Sequence, residues 1–259
     1  MSSLPCRVCA HETRRLFDGP LLKRTVSYHE CPQCGYVQTE EPTWLAEAYA
    51  QAINLSDTGI MARNERNARL VLRTVALLGL WRGKVIDFAG GYGLLVRMLR
   101  DRGINAWWQD SYATNLVARG FEAAPGEKAD LVTAFEAFEH FVKPGEELDR
   151  LVGFGDNILF STDLIPDPAP APGTWWYYGV EHGQHVGFLR RRTLEWLAAK
   201  TGRHLVTDGK RVHLLTKNPA AGWRWALARR GLGLEMLGAK FRLKSLTWSD
   251  FEQMGGKNS

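Results

Sequence analysis

The residues best equipped for chemistry begin with four cysteines, Cys6, Cys9, Cys31 and Cys34, which are the only cysteines in the chain. They form two Cys-x-x-Cys pairs, CRVC and CPQC, with 21 residues between them. Two such knuckles supply four thiolates to one tetrahedral Zn²⁺. Disulfides fit an intracellular chain poorly, and a redox pair would need a βαβ setting that these residues lack. A four-thiolate site is coordinatively closed, so the expected role of this zinc is to fold the segment, not to activate water. His11 and His29 lie nearby, but four cysteines already satisfy the metal.

A second group surrounds a glycine-rich turn, Asp87-Phe-Ala-Gly-Gly-Tyr-Gly93. It follows a buried-strand pattern and opens a helix, a place where backbone N–H groups approach a ligand closely. It does not match G-x-G-x-x-G, because Val96 stands three residues after Gly93. Asp110 closes the next strand, 17 residues after Gly93. An acidic residue there accepts hydrogen bonds from both hydroxyls of a ribose, or else caps a turn. The third group is histidine: His182 and His185 in EHGQHVGF, with His140 further upstream. Histidine is the side chain most readily poised as a base near neutral pH. His182 and His185 follow Trp175, Trp176, Tyr177 and Tyr178, which read either as a lid or stacking wall or as core packing. Tyr49 and Arg63 are weaker candidates, able to close over a cofactor carboxylate from helices ahead of the sheet.

These residues need elements to hold them. Residues 43–54 and 60–80 read as helices. A succession of short strands and helices follows: strand 84–88, helix 94–102, and strands 104–109, 121–124, 130–135 and 157–162. Residues 163–179 are a long Pro- and aromatic-rich loop, and 192–201 form another helix. Residues 204–208 and 211–217 alternate on either side of Asp208-Gly209 as a hairpin. The pattern predicts an α/β fold, a parallel sheet covered by helices that ends in an antiparallel hairpin. It divides into a zinc ribbon over 1–42, a helical segment over 43–82, the α/β domain over 83–217 and a basic tail over 218–259.

Composition limits the classes that remain. The chain has 259 residues, 45% apolar and 24% charged, which are globular values. No apolar run approaches the roughly 18 residues of a membrane span. The N-terminal stretch lacks the basic and apolar regions of a signal peptide, so the expectation is a soluble, cytoplasmic protein. The net charge is +5, and residues 217–259 hold eight basic and three acidic side chains. The surplus is therefore confined to the tail, either a solvated helix or a docking element for an anionic partner.

The strand and turn Val85–Gly93, Asp110 and the segment Asp130–Pro144 (DLVTAFEAFEHFVKP) together resemble a class I S-adenosylmethionine-dependent methyltransferase, over roughly residues 60–217. Such enzymes have a Rossmann-like sheet that ends in an antiparallel hairpin. Asp87, Gly91 and Gly93 match the family's turn. Ala89 stands where its first glycine is usual, which alanine can do at negative φ. The resemblance implies that Asp87, Ala89, Gly90, Gly91 and Gly93 border the methionine and ribose of S-adenosylmethionine. It also implies that Asp110 holds the ribose and that Phe135 and Glu136 lie near the cofactor. With the cysteine knuckles in front, the chain is similar to the sugar C-methyltransferases, which carry His-Glu-His-x-x-(Tyr/Phe). Here His185 matches the second histidine, Gln184 replaces the glutamate, and Gly183 replaces the first histidine, with His182 one residue before it.

The expected activity is in-line methyl transfer to a sugar, nucleotide-sugar or other small metabolite or glycan, with His182, His185 or His140 as base. An RNA methyltransferase and a non-catalytic cofactor-fold protein are the alternatives. Against the first, residues 1–216 carry no net positive charge, and neither an Asn/Asp-Pro-Pro-Tyr motif nor a cysteine beyond the knuckles is present.

Overall fold

The fold is described from a computed structural model, over residues 4–49, 58–229, 238–239 and 241–255. In chain order it begins with β1 (Arg14–Leu21), β2 (Arg24–Glu30), β3 (Val37–Thr39), α1 (Leu45–Ala48) and α2 (Ile60–Leu78). Then come β4 (Lys84–Phe88), α3 (Leu94–Asp101), β5 (Asn105–Gln109), β6 (Leu131–Phe135), α4 (Pro144–Phe154) and β7 (Ile158–Ser161). The remainder is β8 (Gly187–Phe188), α5 (Arg191–Lys200), β9 (His204–Thr207), β10 (Val212–Thr216), α6 (Ala221–Arg229) and α7 (Thr247–Gly255). A six-stranded sheet runs β5-β4-β6-β7-β10-β9 and a four-stranded sheet β1-β2-β3-β8. Strand β4 pairs in parallel with both β5 and β6. Neighbouring strands β9 and β10 are joined by four residues, too short for a parallel crossover, so the sheet ends in an antiparallel pair. This is the mostly parallel, Rossmann-like sheet that the pattern predicts. Residues 121–124 make only a single bridge, Trp108 to Glu122, not a strand. The predicted helix 43–54 is one short turn at α1, and its last five residues lie outside the described residues.

Backbone packing divides the chain into two compact units. The first comprises 1–56, 135–150 and 160–214. Its N-terminal hairpin β1–β2 pairs antiparallel, β3 pairs with β2, and β8 adds to β3 with Val37 opposite Phe188 and Gln38 opposite Gly187. The faces of these strands bury Leu21, Val26, Tyr28, Val37 and Phe188 against Tyr177 and Tyr178. Both tyrosines are fully buried, whereas Trp176 is 69% exposed. The aromatic loop therefore packs into this core through its tyrosines and leaves Trp176 outside.

A buried charge cluster fixes the same unit. The Glu30 side chain is 6% exposed and receives Arg190 at 3.1 Å, Arg192 at 3.0 Å and Arg14 at 3.1 Å. Arg190 is equally buried and has Asp167 as a second partner at 2.7 Å. Removing one partner of such a cluster leaves an uncompensated buried charge.

The second unit comprises 57–134, 151–159 and 215–259. Helix α2 buries Ala68, Val71, Leu72 and Val75 along one stripe, and Gly79 ends it in the left-handed conformation. Asp250 of α7, itself 4% exposed, accepts two bonds from Arg100 of α3, at 2.8 and 2.6 Å, and one from Arg97 at 2.7 Å. The Lys244 backbone lies over Gly103, where a Cβ would come within 2.4 Å of its carbonyl oxygen. Within this unit the tail is thus anchored on α3 through Asp250, together with the Thr247 hydroxyl donating to Asp101 at 2.9 Å and Leu246 N–H donating to the Arg100 carbonyl at 3.0 Å. Among the described residues, no helix is long and apolar enough to cross a membrane.

The Glu30 cluster gives a direct test. Glu30→Gln is expected to lower the unfolding free energy in urea by about 3 kcal/mol. Arg14→Gln, which removes a partner exposed at its surface, is expected to cost less than about 1 kcal/mol.

Candidate functional site

Three groups of candidate residues come together locally. The sulfur atoms of Cys6, Cys9, Cys31 and Cys34 all lie within 4.8 Å of one another. Cys6 and Cys34 are 3.6 Å apart and Cys9 and Cys31 3.4 Å apart, so neither pair is a disulfide. Four sulfurs about 2.3 Å from a tetrahedral ion stand about 3.8 Å from one another. The cluster is near that spacing, and the donor set fits a structural metal. Its backbone is built for the purpose: the Cys34 N–H points at the Cys31 sulfur at 3.5 Å, and Gly35 turns with φ of 73°. The Cys34 carbonyl accepts from the Thr193 hydroxyl at 2.9 Å, which ties the knuckle to α5.

In the second unit the glycine turn follows β4. Asp87 is buried, and its carboxylate accepts from the Thr133 hydroxyl at 2.6 Å. Burial pushes its carboxyl up to about 7, and the charge of Asp110 adds to the shift. Asp110 is within reach of the turn: one oxygen accepts from Gly91 N–H at 2.9 Å. The other accepts from the N–H groups of Tyr112 at 2.7 Å and Ala113 at 2.9 Å. Asp110 therefore caps the turn after β5 and braces the glycine turn at once. The glycines have different reasons. A Cβ on Gly90 would come within 2.8 Å of the Trp108 ring, and one on Gly93 within 2.5 Å of the Asn115 amide. Around Gly91, at φ of 54°, the space is open. The expectation for Ala89 needs correcting. Its φ is 57°, in the left-handed region, so alanine occupies the first-glycine position under strain.

In the first unit His140, His182 and His185 gather. His185 lies edge-on to both others, with ring centroids 4.8 Å from His140 and 4.8 Å from His182. His185 Nδ1 is 2.6 Å from the Tyr177 carbonyl oxygen, which can only accept, so Nδ1 carries the proton and Nε2 a free lone pair. His182 is arranged oppositely: its Nδ1 accepts from Gln184 N–H at 3.1 Å. His140 Nδ1 shares a hydrogen bond of 2.9 Å with the Tyr49 hydroxyl. Burial, reinforced by neighbouring imidazoles, holds His185 well below the usual range and His140 down to about 4. Both rings are therefore neutral at physiological pH. Phe135 closes β6, and Glu136 follows at φ of 50°, a strained conformation for a side chain of this size. Its carboxylate accepts from the Ser161 hydroxyl at 2.5 Å.

One residue of this cluster has no place in the sequence reading. Glu139 is fully buried, and neither carboxylate oxygen has a hydrogen-bond partner. Burial, with Glu136 nearby, pushes its carboxyl up to about 8. Glu-His in a loop reads as a solvated pair. The only signal in the sequence was the apolar setting of FEAFEHF. A separate open cleft of about 810 Å³ in the first unit is lined by Trp175, Arg190, Arg192 and Arg211, and by none of the histidines.

A family model described as a methyltransferase domain matches residues 61–207. The chain belongs to the methyltransferase-domain family. No curated protein matches its sequence. Among solved structures, this methyltransferase is similar to an O-methyltransferase family protein from Burkholderia thailandensis, at 15% identity over 68% of this chain and 63% of that one, with a TM-score of 0.40. It is similar to magnesium protoporphyrin IX methyltransferase from Synechocystis PCC 6803, solved with SAH bound, at 13% identity over 67% and 93%, with a TM-score of 0.47. Human N-acetylserotonin methyltransferase gives 14% identity over 68% and 66%, with a TM-score of 0.41. This methyltransferase thus spans less than two thirds of the Burkholderia protein.

Two outcomes follow for the turn. Ala89→Gly is expected to stabilise the protein by about 0.5 kcal/mol, the relief of left-handed strain less the greater freedom of glycine in the unfolded chain, read from urea midpoints. The raised carboxyl of Asp87 contributes stability below about pH 4 that is lost as the pH rises through about 7. Asp87→Asn is therefore expected to flatten that dependence in thermal unfolding, and to gain on the wild type by at most about 1.4 kcal/mol per pH unit across the window.

Proposed function

We propose that this methyltransferase uses S-adenosylmethionine to methylate a small hydroxylated acceptor, a sugar, nucleotide-sugar or related metabolite or glycan, in the cytoplasm. The observation that carries the reading is the bond between Asp110 and Gly91 N–H, at 2.9 Å. It holds an acidic side chain against a glycine turn whose middle residue faces open space. Asp110 keeps one lone pair, on Oδ2, beyond its three backbone bonds, enough to accept from one ribose hydroxyl. Asp87, Ala89, Gly90, Gly91 and Gly93 would border the methionine and ribose, and Phe135 and Glu136 would stand near the cofactor. The cofactor supplies an already activated methyl group. What remains for the protein is to orient the acceptor and remove its proton.

The histidine cluster is the place for that activation, and proton abstraction by a histidine is its simplest form. Of His140, His182 and His185, His185 has the tautomer for it, since Nδ1–H is spent on the Tyr177 carbonyl and Nε2 is free. Cys6, Cys9, Cys31 and Cys34 would hold a structural Zn²⁺, consistent with their sulfur spacing. No step of the transfer runs through that metal.

Isothermal calorimetry with S-adenosylmethionine tests the cofactor assignment, and Asp110→Ala is expected to weaken binding at least about tenfold. His185→Ala is expected to leave the cofactor Kd unchanged and to lower kcat about a hundredfold or more on a hydroxylated sugar acceptor. Absence of cofactor binding by the folded wild type would overturn the reading.

A further inference from the structure

Glu139, His140 and His185 each place one ligand atom within 4.8 Å of the other two. All three belong to the first compact unit, Glu139 and His140 on the turn after β6 and His185 two residues before β8. Three features of this group have no explanation within the protein. Both Glu139 oxygens are buried without a partner. An unpaired buried polar group costs on the order of 1–3 kcal/mol, and a charged one more. The carboxyl makes no hydrogen bond to either imidazole, so no proton shared within the cluster satisfies it. Lastly, the Nδ1–H of His185 is fastened to a backbone carbonyl at 2.6 Å, leaving the Nε2 lone pair fixed in direction. That backbone contact is how a metal-binding imidazole is commonly oriented. The His140 ring is likewise held at Nδ1, by Tyr49.

We propose that Glu139, His140 and His185 bind a divalent transition-metal cation through one carboxylate oxygen and two imidazole nitrogens. An ion with bonds of about 2.1 Å holds its ligand atoms about 3.0–4.2 Å apart, so the cluster reaches coordination by side-chain adjustments of less than about an ångström. A mixed imidazole and carboxylate set suits ions such as Zn²⁺, Co²⁺, Fe²⁺ or Mn²⁺. Three protein ligands leave positions open, unlike the four-sulfur cluster. Those positions would take oxygens of a vicinal diol on the acceptor and lower the pKa of the bound hydroxyl; with the cation in place His185 Nε2 is a ligand, so this activation replaces direct proton abstraction by His185. That last assignment rests on the methyltransferase reading; cation binding does not. Nearby, the left-handed φ of Glu136, 50°, is strain stored three residues before the ligand Glu139, as is common where a site is held in one geometry.

The test is a Co²⁺ titration of the full chain, first stripped with a chelator and with neither cofactor nor acceptor present. Two equivalents are expected. One shows the near-ultraviolet thiolate-to-cobalt charge transfer of the cysteine cluster. The other shows visible ligand-field bands without it. Glu139→Gln and His185→Ala are each expected to weaken the second equivalent at least about tenfold while keeping the thiolate signature and thereby reporting a folded cluster. A wild type that takes up only the thiolate-type equivalent overturns the proposal, and so does a second equivalent that neither variant weakens. If a variant does not fold, His140→Ala replaces it with the same two outcomes. S-adenosylmethionine binding is measured on the same samples. Cobalt binding without cofactor binding leaves the cation site standing and removes the methyltransferase reading. The converse removes only the cation site.

Discussion

A buried carboxylate ringed by three guanidinium groups has few low-energy arrangements, and Glu30 imposes one on residues 14, 190 and 192. Its charge is affordable only while Arg190 stays beside it, because both are shielded from water. That constraint brings the start of α5 against the end of β2. With it come two short connections: Thr193 on the Cys34 carbonyl, and β3 beside β8. His185 lies two residues before β8, and Val186 N–H donates to the Glu139 carbonyl at 2.8 Å. The geometry of the histidine cluster is therefore inherited from an ion cluster that takes no part in it.

The cysteine cluster occupies the same framework. The second knuckle leads into β3, which pairs with Gly187–Phe188, and the Tyr36 ring lies so close to Gly187 that a Cβ there would come within 1.7 Å of the hydroxyl oxygen. A short strand of two residues has little intrinsic stability. It forms because the neighbouring β3 is held at its Val37 end, which lies opposite Glu30 and three residues after Cys34. Order at the four cysteines and order at His185 are in this sense parts of one packing problem.

Much of the parallel sheet could be read directly, because buried strands such as KVIDF and DLVTAF are short apolar runs bounded by turn residues. The glycine turn and its link to Asp110 were legible for the same reason, as was the clustering of the four cysteines. What escaped was everything decided by distant partners. The strand RTVSYHE alternates too weakly to announce itself, and β8 exists only through β3. Tyr177 and Tyr178 read equally as wall or core until their neighbours are known. Glu139 escaped for a different reason. Nothing in a lone Glu-His dipeptide says that both oxygens will be buried without a donor. Ala89 shows that a residue type can be read correctly and its backbone still misjudged, since φ is set by the turn on either side.

The clamp between Arg100 and Asp250 has a bearing on how this sequence can drift. Each side chain is nearly inaccessible, and each is the other's principal partner, with Arg97 a third member on Asp250. Loss of Asp250 strands the Arg100 guanidinium and loss of Arg100 leaves Asp250 with Arg97 alone, whereas replacement of both by apolar residues of similar volume removes the difficulty along with the bond. The effects of substitution at these two positions are therefore expected to be non-additive, although 150 residues of sequence separate them. The tail that seemed a loose carrier of positive charge contributes, at Asp250, one of the least freely variable carboxylates in its unit.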